Sequence, residues 1–320
     1  MKYRVLGTVA AAAAIAFAQP VSYLAQEAGK AAEILAAARK TIGGSKIDSL
    51  KTFSVQSDVQ RNVGSMQLNA DVEILLELPD KYARVENMSG GPGMMIAGGG
   101  TTGFNGDHVL QKLGAGGMGG GMVIRMGGGP VQSTPGEKPT PEQLEQMRVA
   151  ALRSSKTEAS RLMLGWFAMA HPSARAEYSY LGEAESVEGK AYVIDVKNAD
   201  GFAARLFIDE QSHLPLMVTY KAPKPRMITQ TMSAPAGGHA VAQGGGEAAA
   251  MKQAQASMNQ PPEMADYTVY FEDWRESEGV KFPFKLRRGS DGNTTEEWSV
   301  SKIKVNPKID PKKFAVDSGS

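Results

Sequence analysis

The stretch EGKAYVIDVKNADGFAARLFIDEQSHLPLMVTY, residues 188–220, decides the fold. Tyr192, Ile194 and Val196 alternate with Val193, Asp195 and Lys197, and Asn198-Ala199-Asp200-Gly201 interrupts the run. A second run, 203–208, ends at Asp209. A third alternates Leu214, Leu216, Val218 and Tyr220. Successive strand side chains point to opposite faces, so period-two alternation punctuated by Gly, Asn, Asp and Pro reads as three antiparallel strands with tight turns. One face is apolar and the other polar, as in a sheet with one wet side. The functional question is what lies against the apolar face.

The same pattern recurs on both sides of this stretch. Phe53, Val55, Val59 and Val63 alternate with Ser54, Gln56, Asp58, Gln60 and Asn62. Met66, Leu68, Ala70, Val72, Ile74, Leu76 and Leu78 then keep the period for roughly thirteen residues, longer than the usual strand. Further strands are read at 81–88, as a hairpin over 102–112 around Asn105-Gly106, and at 175–182. Downstream, Tyr267, Val269 and Phe271 alternate, as do Val280, Phe282, Phe284 and Leu286, and 294–305 closes the series.

Two helices interrupt them. In 27–42, Ile34, Leu35, Ala38 and Ile42 share a face, and Gly43-Gly44 stops the run. The second opens at Thr140-Pro141-Glu142-Gln143, where threonine caps, proline takes the first helical position and Gln143 closes a capping box. It runs to Ala170 with Leu162, Met163, Trp166, Phe167 and Ala170 on one face, and Ser154-Ser155 marks a place for a break. The apolar face of so many strands is too wide for two helices unless the sheet curls. The fold is therefore read as α+β: a large curved antiparallel sheet forming an incompletely closed half β-barrel, with two helices on its concave apolar face. Such an interior is a natural home for an acyl chain.

Composition narrows the function. The 320 residues hold 35 basic and 34 acidic side chains, with no basic run, so neither nucleic acid nor an anionic membrane surface is indicated. There is no cysteine, which excludes disulfides, thiolate chemistry and a lipid-attachment cysteine. Lys2 and Arg4, the apolar run 5–16 and Ala16-Phe17-Ala18 read as a secretory signal cleaved after Ala18. The expected mature chain, 19–320, is one domain with flexible insertions at about 89–139 and 222–264, exported to the periplasm and not membrane-spanning. Met94, Met95, Met118, Met122 and Met126 lie in the glycine-dense first insertion. They offer either an adaptable apolar lid or soft thioether ligands for copper(I), although Met-x-x-x-Met spacing alone does not make a metal site.

No catalytic constellation emerges. His108, His171, His213 and His239 are scattered without metal-ligand spacing. Asp195 and Asp209 read as strand-end and turn carboxylates, and there is no Gly-x-Ser-x-Gly elbow or phosphate loop. The chain is read as a non-enzyme with no cofactor and no metal. The candidate ligand-binding residues are instead apolar. From the first strands they are Val55, Val59, Leu68, Val72, Ile74 and Leu76; from the second helix, Leu162, Trp166 and Phe167. From the later strands they are Ile194, Leu206, Leu216, Phe271, Phe282 and Phe284. Arg61 shares the parity of Val55, Val59 and Val63; it either ends the strand and reaches out to water or anchors a ligand head group.

Four patterns carry a family resemblance: Leu78-Pro79-Asp80-Lys81-Tyr82-Ala83-Arg84; Phe104-Asn105-Gly106-Asp107; Leu206-Phe207-Ile208-Asp209 followed by Leu214-Pro215-Leu216; and Asp310-Pro311-Lys312-Lys313-Phe314. In this order they resemble the periplasmic outer-membrane lipoprotein carrier superfamily, the LolA-like proteins with an unclosed barrel. That group includes mycobacterial lipid-binding lipoproteins and a periplasmic sigma-factor regulator. The resemblance implies a half-barrel lidded by helices that binds lipid or lipoprotein acyl chains without catalysis, with envelope proteins as partners. The carrier has a functional arginine immediately before the turn proline, and here that position is Leu78. An envelope sensor or interaction protein with the same fold and no transport role is the alternative.

Overall fold

The alternation becomes a sheet of twelve strands in a computed structural model describing residues 21–63, 66–89, 99–113, 140–187, 189–224 and 263–316. The expected leader, the methionines at 94, 95, 118, 122 and 126, and most of the second insertion lie outside the described residues. The first five strands are β1 Thr52–Val63, β2 Met66–Glu77, β3 Lys81–Ser89, β4 Gly99–Asn105 and β5 His108–Leu113. The rest are β6 Glu177–Ser186, β7 Gly189–Lys197, β8 Ala203–Asp209, β9 Pro215–Pro223, β10 Met264–Ser277, β11 Val280–Ser290 and β12 Asn293–Val305.

Their order is β5-β4-β3-β2-β1-β12-β11-β10-β9-β8-β7-β6, every pair antiparallel. Each strand except β5 neighbours the next in sequence, and β1 closes onto β12 with Phe53 opposite Val305 and Arg61 opposite Glu296. β5 and β6 are the two edges, so the sheet is an unclosed half-barrel. The chain must pass from one edge to the other between β5 and β6. That need puts a helix across the concave face.

This helix, α3, spans Pro141–Phe167, after α1 (Val21–Ile42) and the single turn α2 (Ser45–Asp48). α1 begins earlier than the periodicity implied. The capping box at Thr140 and Gln143 is present in both directions. The expected break at Ser154-Ser155 does not occur. Serine costs a helix only a few tenths of a kcal/mol, too little to interrupt one that is capped at one end and buried at the other. α3 ends at Phe167 rather than Ala170 because Ala168 takes a left-handed conformation, and the Ala170 N–H donates to Tyr178 Oη at 2.8 Å.

The core lies between the helices and the concave face. Ile34, Leu35, Ala38 and Ile42 of α1 enter it from one side and Leu162, Met163, Trp166 and Phe167 of α3 from another. Phe53 meets Phe167 edge-on at 4.9 Å and Phe282 at 5.4 Å, while Trp166 lies 5.3 Å from Phe282. Gly165 of α3 touches the Phe271 ring so closely that a Cβ there would lie 1.8 Å from it.

The convex face is not uniformly wet, contrary to the simple two-face reading. Leu75, Ala83 and Leu110 are buried there under Phe314 of the closing turn Pro311–Phe314. Ala191, Val193, Phe207 and Met217 form a second outer cluster. Leu216 packs against this outer cluster instead of lining the interior. Its parity changes because Phe207 pairs with Met217 but Ile208 with Pro215, and the extra residue turns the strand over locally.

Candidate functional site

On the concave face, apolar side chains give way to charge at one rim. In β1, Val59 is followed two residues on by Arg61; in β3, Tyr82 by Arg84 and Glu86; in β11, Leu286 by Arg288. In β12, Glu296 precedes Trp298. β1, β12 and β11 are adjacent, and β2 alone separates β1 from β3, so these groups converge. α3 adds Glu158 and Arg161 from above, and β9 and β10 add Tyr220 and Tyr267.

The ion pairs form one network. Arg61 grips Glu86 in a two-point contact, with Nη2 donating to Oε2 at 2.9 Å, and donates through Nε to Glu296 at 3.4 Å. Arg84 reaches Glu86 at 3.2 Å, Glu296 at 3.6 Å and Glu158 of α3. Arg288 donates to Glu296 at 3.4 Å, and the Trp298 indole N–H donates to the same carboxylate. The Arg84 guanidinium lies 5.0 Å from the centre of the Trp298 ring. Arg61 and Arg84 are each 7% exposed and Glu296 5%. Arg61 therefore does not reach out to water; it is buried and already paired.

Burial alone raises the Glu296 carboxyl, but Arg288, Arg84 and Arg61 more than offset this and hold it down at about 2. Glu86 is also lowered, against its burial, by Arg61 and Arg84. Burial would lower Arg61 and Arg84, yet the surrounding carboxylates raise both. Arg161 behaves differently: burial dominates and brings it down to about 10. Its guanidinium lies 3.5 Å from the centre of the Tyr220 ring, which stacks on Tyr267 at 5.4 Å and 12°.

The apolar candidates mostly meet in the one core. Val55, Val59, Val72, Ile74, Leu76, Leu162, Trp166, Phe167, Ile194, Leu206, Phe271 and Phe282 all belong to it. Phe284 is half-buried beneath the Arg275 guanidinium, and Leu68 of β2 is buried directly opposite Arg61 of β1. Arg84, Glu86, Glu158, Arg161, Arg288 and Glu296 were not anticipated. A signal for the strand residues exists: each is a charge on the parity that its strand otherwise keeps apolar.

The histidines and aspartates do not assemble a reactive centre. His171 is fully buried, edge-on to Phe104 at 5.1 Å, with its Nδ1 accepting from the Ser173 N–H, and burial lowers it to about 4. His213 sits half-buried in a left-handed turn position (φ 56°), and His239 lies outside the described residues. Asp209 caps a turn by accepting from the Ser212 N–H at 2.7 Å, while Asp195 lies opposite Arg205 on the neighbouring strand. Among the described residues no group of three or more acidic or histidine side chains is placed to hold a metal, and no helix is long and apolar enough to cross a membrane.

No family model matches the chain, and no curated protein matches its sequence. Among solved structures it is similar to a DUF1329 family protein from Desulfovibrio piger, at 9% identity and TM-score 0.47, covering 91% of this chain and 97% of that one. It is also similar to a LolA superfamily protein from Nitrosomonas europaea, at 11% and 0.46, covering 90% and 98%. A third is a domain described as an outer membrane lipoprotein-sorting protein from Vibrio parahaemolyticus, at 9% and 0.43, covering 90% and 97%. The group resembled by the four sequence patterns is thus among the structures this chain is similar to. With TM-scores of 0.43–0.47 and identities of 9–11%, these likenesses carry no argument about function, which has to come from the chain's own residues.

Proposed function

We propose that this chain is a non-catalytic, exported periplasmic binding or carrier protein for lipids or lipoprotein acyl chains. One observation carries the reading: the concave face is a continuous apolar surface covered by helices rather than by a second sheet. A helix held by side-chain packing, without a ladder of backbone hydrogen bonds to the sheet, can lift and return. Val55, Val72, Ile74 and Leu206 would then exchange contact with Leu162, Trp166 and Phe167 for contact with an acyl chain. Both partners are apolar, so little hydrophobic free energy is lost in the exchange. An emerging head group would meet the polar groups of the charged rim, Arg61 among them.

The direct test is titration of a fluorescent fatty acid into the purified protein. Saturable uptake near one per chain, accompanied by a change in tryptophan emission as Trp166 is displaced, is expected. Absence of uptake contradicts the proposal.

A second reading is favoured by the rings of Phe53, Trp166, Phe167 and Phe282, which fill the space between α3 and the sheet. On that reading the protein is an envelope interaction or sensor protein that holds no ligand. It predicts no fatty-acid uptake and an α3 that stays protected from amide exchange at all lipid concentrations.

A further inference from the structure

The charged rim holds more donors than acceptors. Tyr82 Oη, Arg161 Nε and Arg288 Nε are buried, and none has a hydrogen-bond partner among the described residues. A guanidinium donates five hydrogen bonds and accepts none, so these nitrogens can be satisfied only by an acceptor. The charges are unequal too: Arg61, Arg84, Arg161 and Arg288 face Glu86, Glu158 and Glu296, leaving one positive charge in surplus among the described residues. The surplus falls on Arg161. Glu158, one turn earlier on α3, is taken by Arg84, and no carboxylate among the described residues pairs with Arg161. Instead its guanidinium lies over Tyr220, and Arg288 is near enough to repel it. At about 10 it still carries its charge at neutral pH. Arg161 and Arg288 are half-buried, so a ligand can reach them. Water can satisfy an N–H but does not balance a charge; a group that is both anionic and rich in acceptors does both.

We propose that Arg161 and Arg288, together with the Tyr82 hydroxyl, seat the anionic head group of the bound amphiphile: a carboxylate or a phosphate ester. This deepens the carrier reading and rests on it, because the chain of the same molecule must enter the apolar face. The arrangement suits such a ligand physically. Charge-assisted hydrogen bonds to a guanidinium are about twice as strong as neutral ones, and the low-dielectric surroundings strengthen them further. The segments 90–98, 114–139 and 225–262 join the described structure at this rim, after Ser89, Leu113 and Lys224, so the seat lies at the end from which both insertions depart.

The test compares ligands sharing one chain. Dodecanoate, dodecyl phosphate, dodecanol and inorganic phosphate are each titrated calorimetrically into the wild-type protein and into Arg161→Gln. The two anionic amphiphiles should bind the wild type about tenfold or more tightly than dodecanol, a difference typical of a charge-assisted contact. Inorganic phosphate alone should bind too weakly to measure. Arg161→Gln should reduce the anionic amphiphiles to the dodecanol level and leave dodecanol unchanged, with Arg161→Lys restoring part of the preference. Equal affinity for charged and uncharged heads in the wild type would overturn the seat while leaving the carrier reading intact. That comparison needs no variant, so it stands even if Arg161→Gln does not fold. Inorganic phosphate binding as tightly as dodecyl phosphate would overturn the head-group assignment in favour of a free anion. Failure of every amphiphile would remove the carrier reading and this inference together.

Discussion

Glu296 is buried against three arginines, and replacing it exposes what the network costs. Glu296→Gln leaves Arg61, Arg84 and Arg288 with less compensation in a site they cannot leave. Breaking a buried ionic network from one side typically destabilises by about 3–5 kcal/mol. Urea unfolding should show a loss of that order; a loss under about 1 kcal/mol would mean that water reaches the cluster freely. Two of the depressed groups, Glu296 and His171, mark separate limbs of the pH dependence. Glu296 titrates near 2 in the fold against 4.5 ordinarily, so the unfolded chain takes the proton first on acidification. Its contribution, on the order of 3 kcal/mol, is present above pH 4.5 and lost as pH falls towards 2. His171 titrates near 4 against 6.5, so protonation of the unfolded chain begins to erode stability already below pH 6.5 and continues down to 4. His171→Gln should flatten the limb between 6.5 and 4 and keep the limb below 4.5; an unchanged profile would show that His171 protonates within the fold. Gly165→Ala tests the cover of the site. The added methyl group would overlap the buried Phe271 ring, a clash of about 1–3 kcal/mol only partly offset by alanine's better helix propensity. Reduced thermal stability together with faster fatty-acid uptake is expected, because the clash pushes α3 off the sheet.

The apolar residues at this scale were legible because alternation reports directly which side chains face inward. The charges were harder to read. A single arginine at a strand end, such as Arg61, reads equally well as solvated, and only the pairing of β1 with β12 shows that Glu296 lies opposite it. Arg161 and Glu158 sit on a helix whose rotation over the sheet no local pattern specifies.

At the scale of elements, α3 joins the two edges of the sheet and covers its interior. Its two halves differ: the first turns are largely exposed, with Leu144 at 52%, while the turns from Ala159 to Phe167 are almost wholly buried. Thr140→Ala should therefore remove about 1 kcal/mol of local capping energy and speed amide exchange in the first turn, with little change in global unfolding. An equally large global loss would show that the exposed half is coupled to the core. The capping box was readable because its chemistry is contained in four consecutive residues. The break expected at Ser154-Ser155 overvalued a weak local preference against burial further along. The slip at Leu216 was invisible for the opposite reason: an unpaired residue in β9 is decided by its neighbour β8.

For the whole molecule, strand identities were readable but strand order was not. Tight turns such as Asn105-Gly106 imply neighbours in sequence, yet the meeting of β1 with β12 depends on curvature accumulated over the entire sheet. That meeting leaves β5 and β6 as the sheet's edges and makes the molecule a half-barrel, covered among the described residues by α1 and α3. On the proposed function, the covered face takes up an acyl chain. Native mass spectrometry with organic extraction, on protein purified gently from its own envelope, tests it most directly. A stoichiometric amphiphile with an anionic head, released on extraction, is the expected result. A chain of bare mass that yields no lipid and takes up none when offered would contradict it.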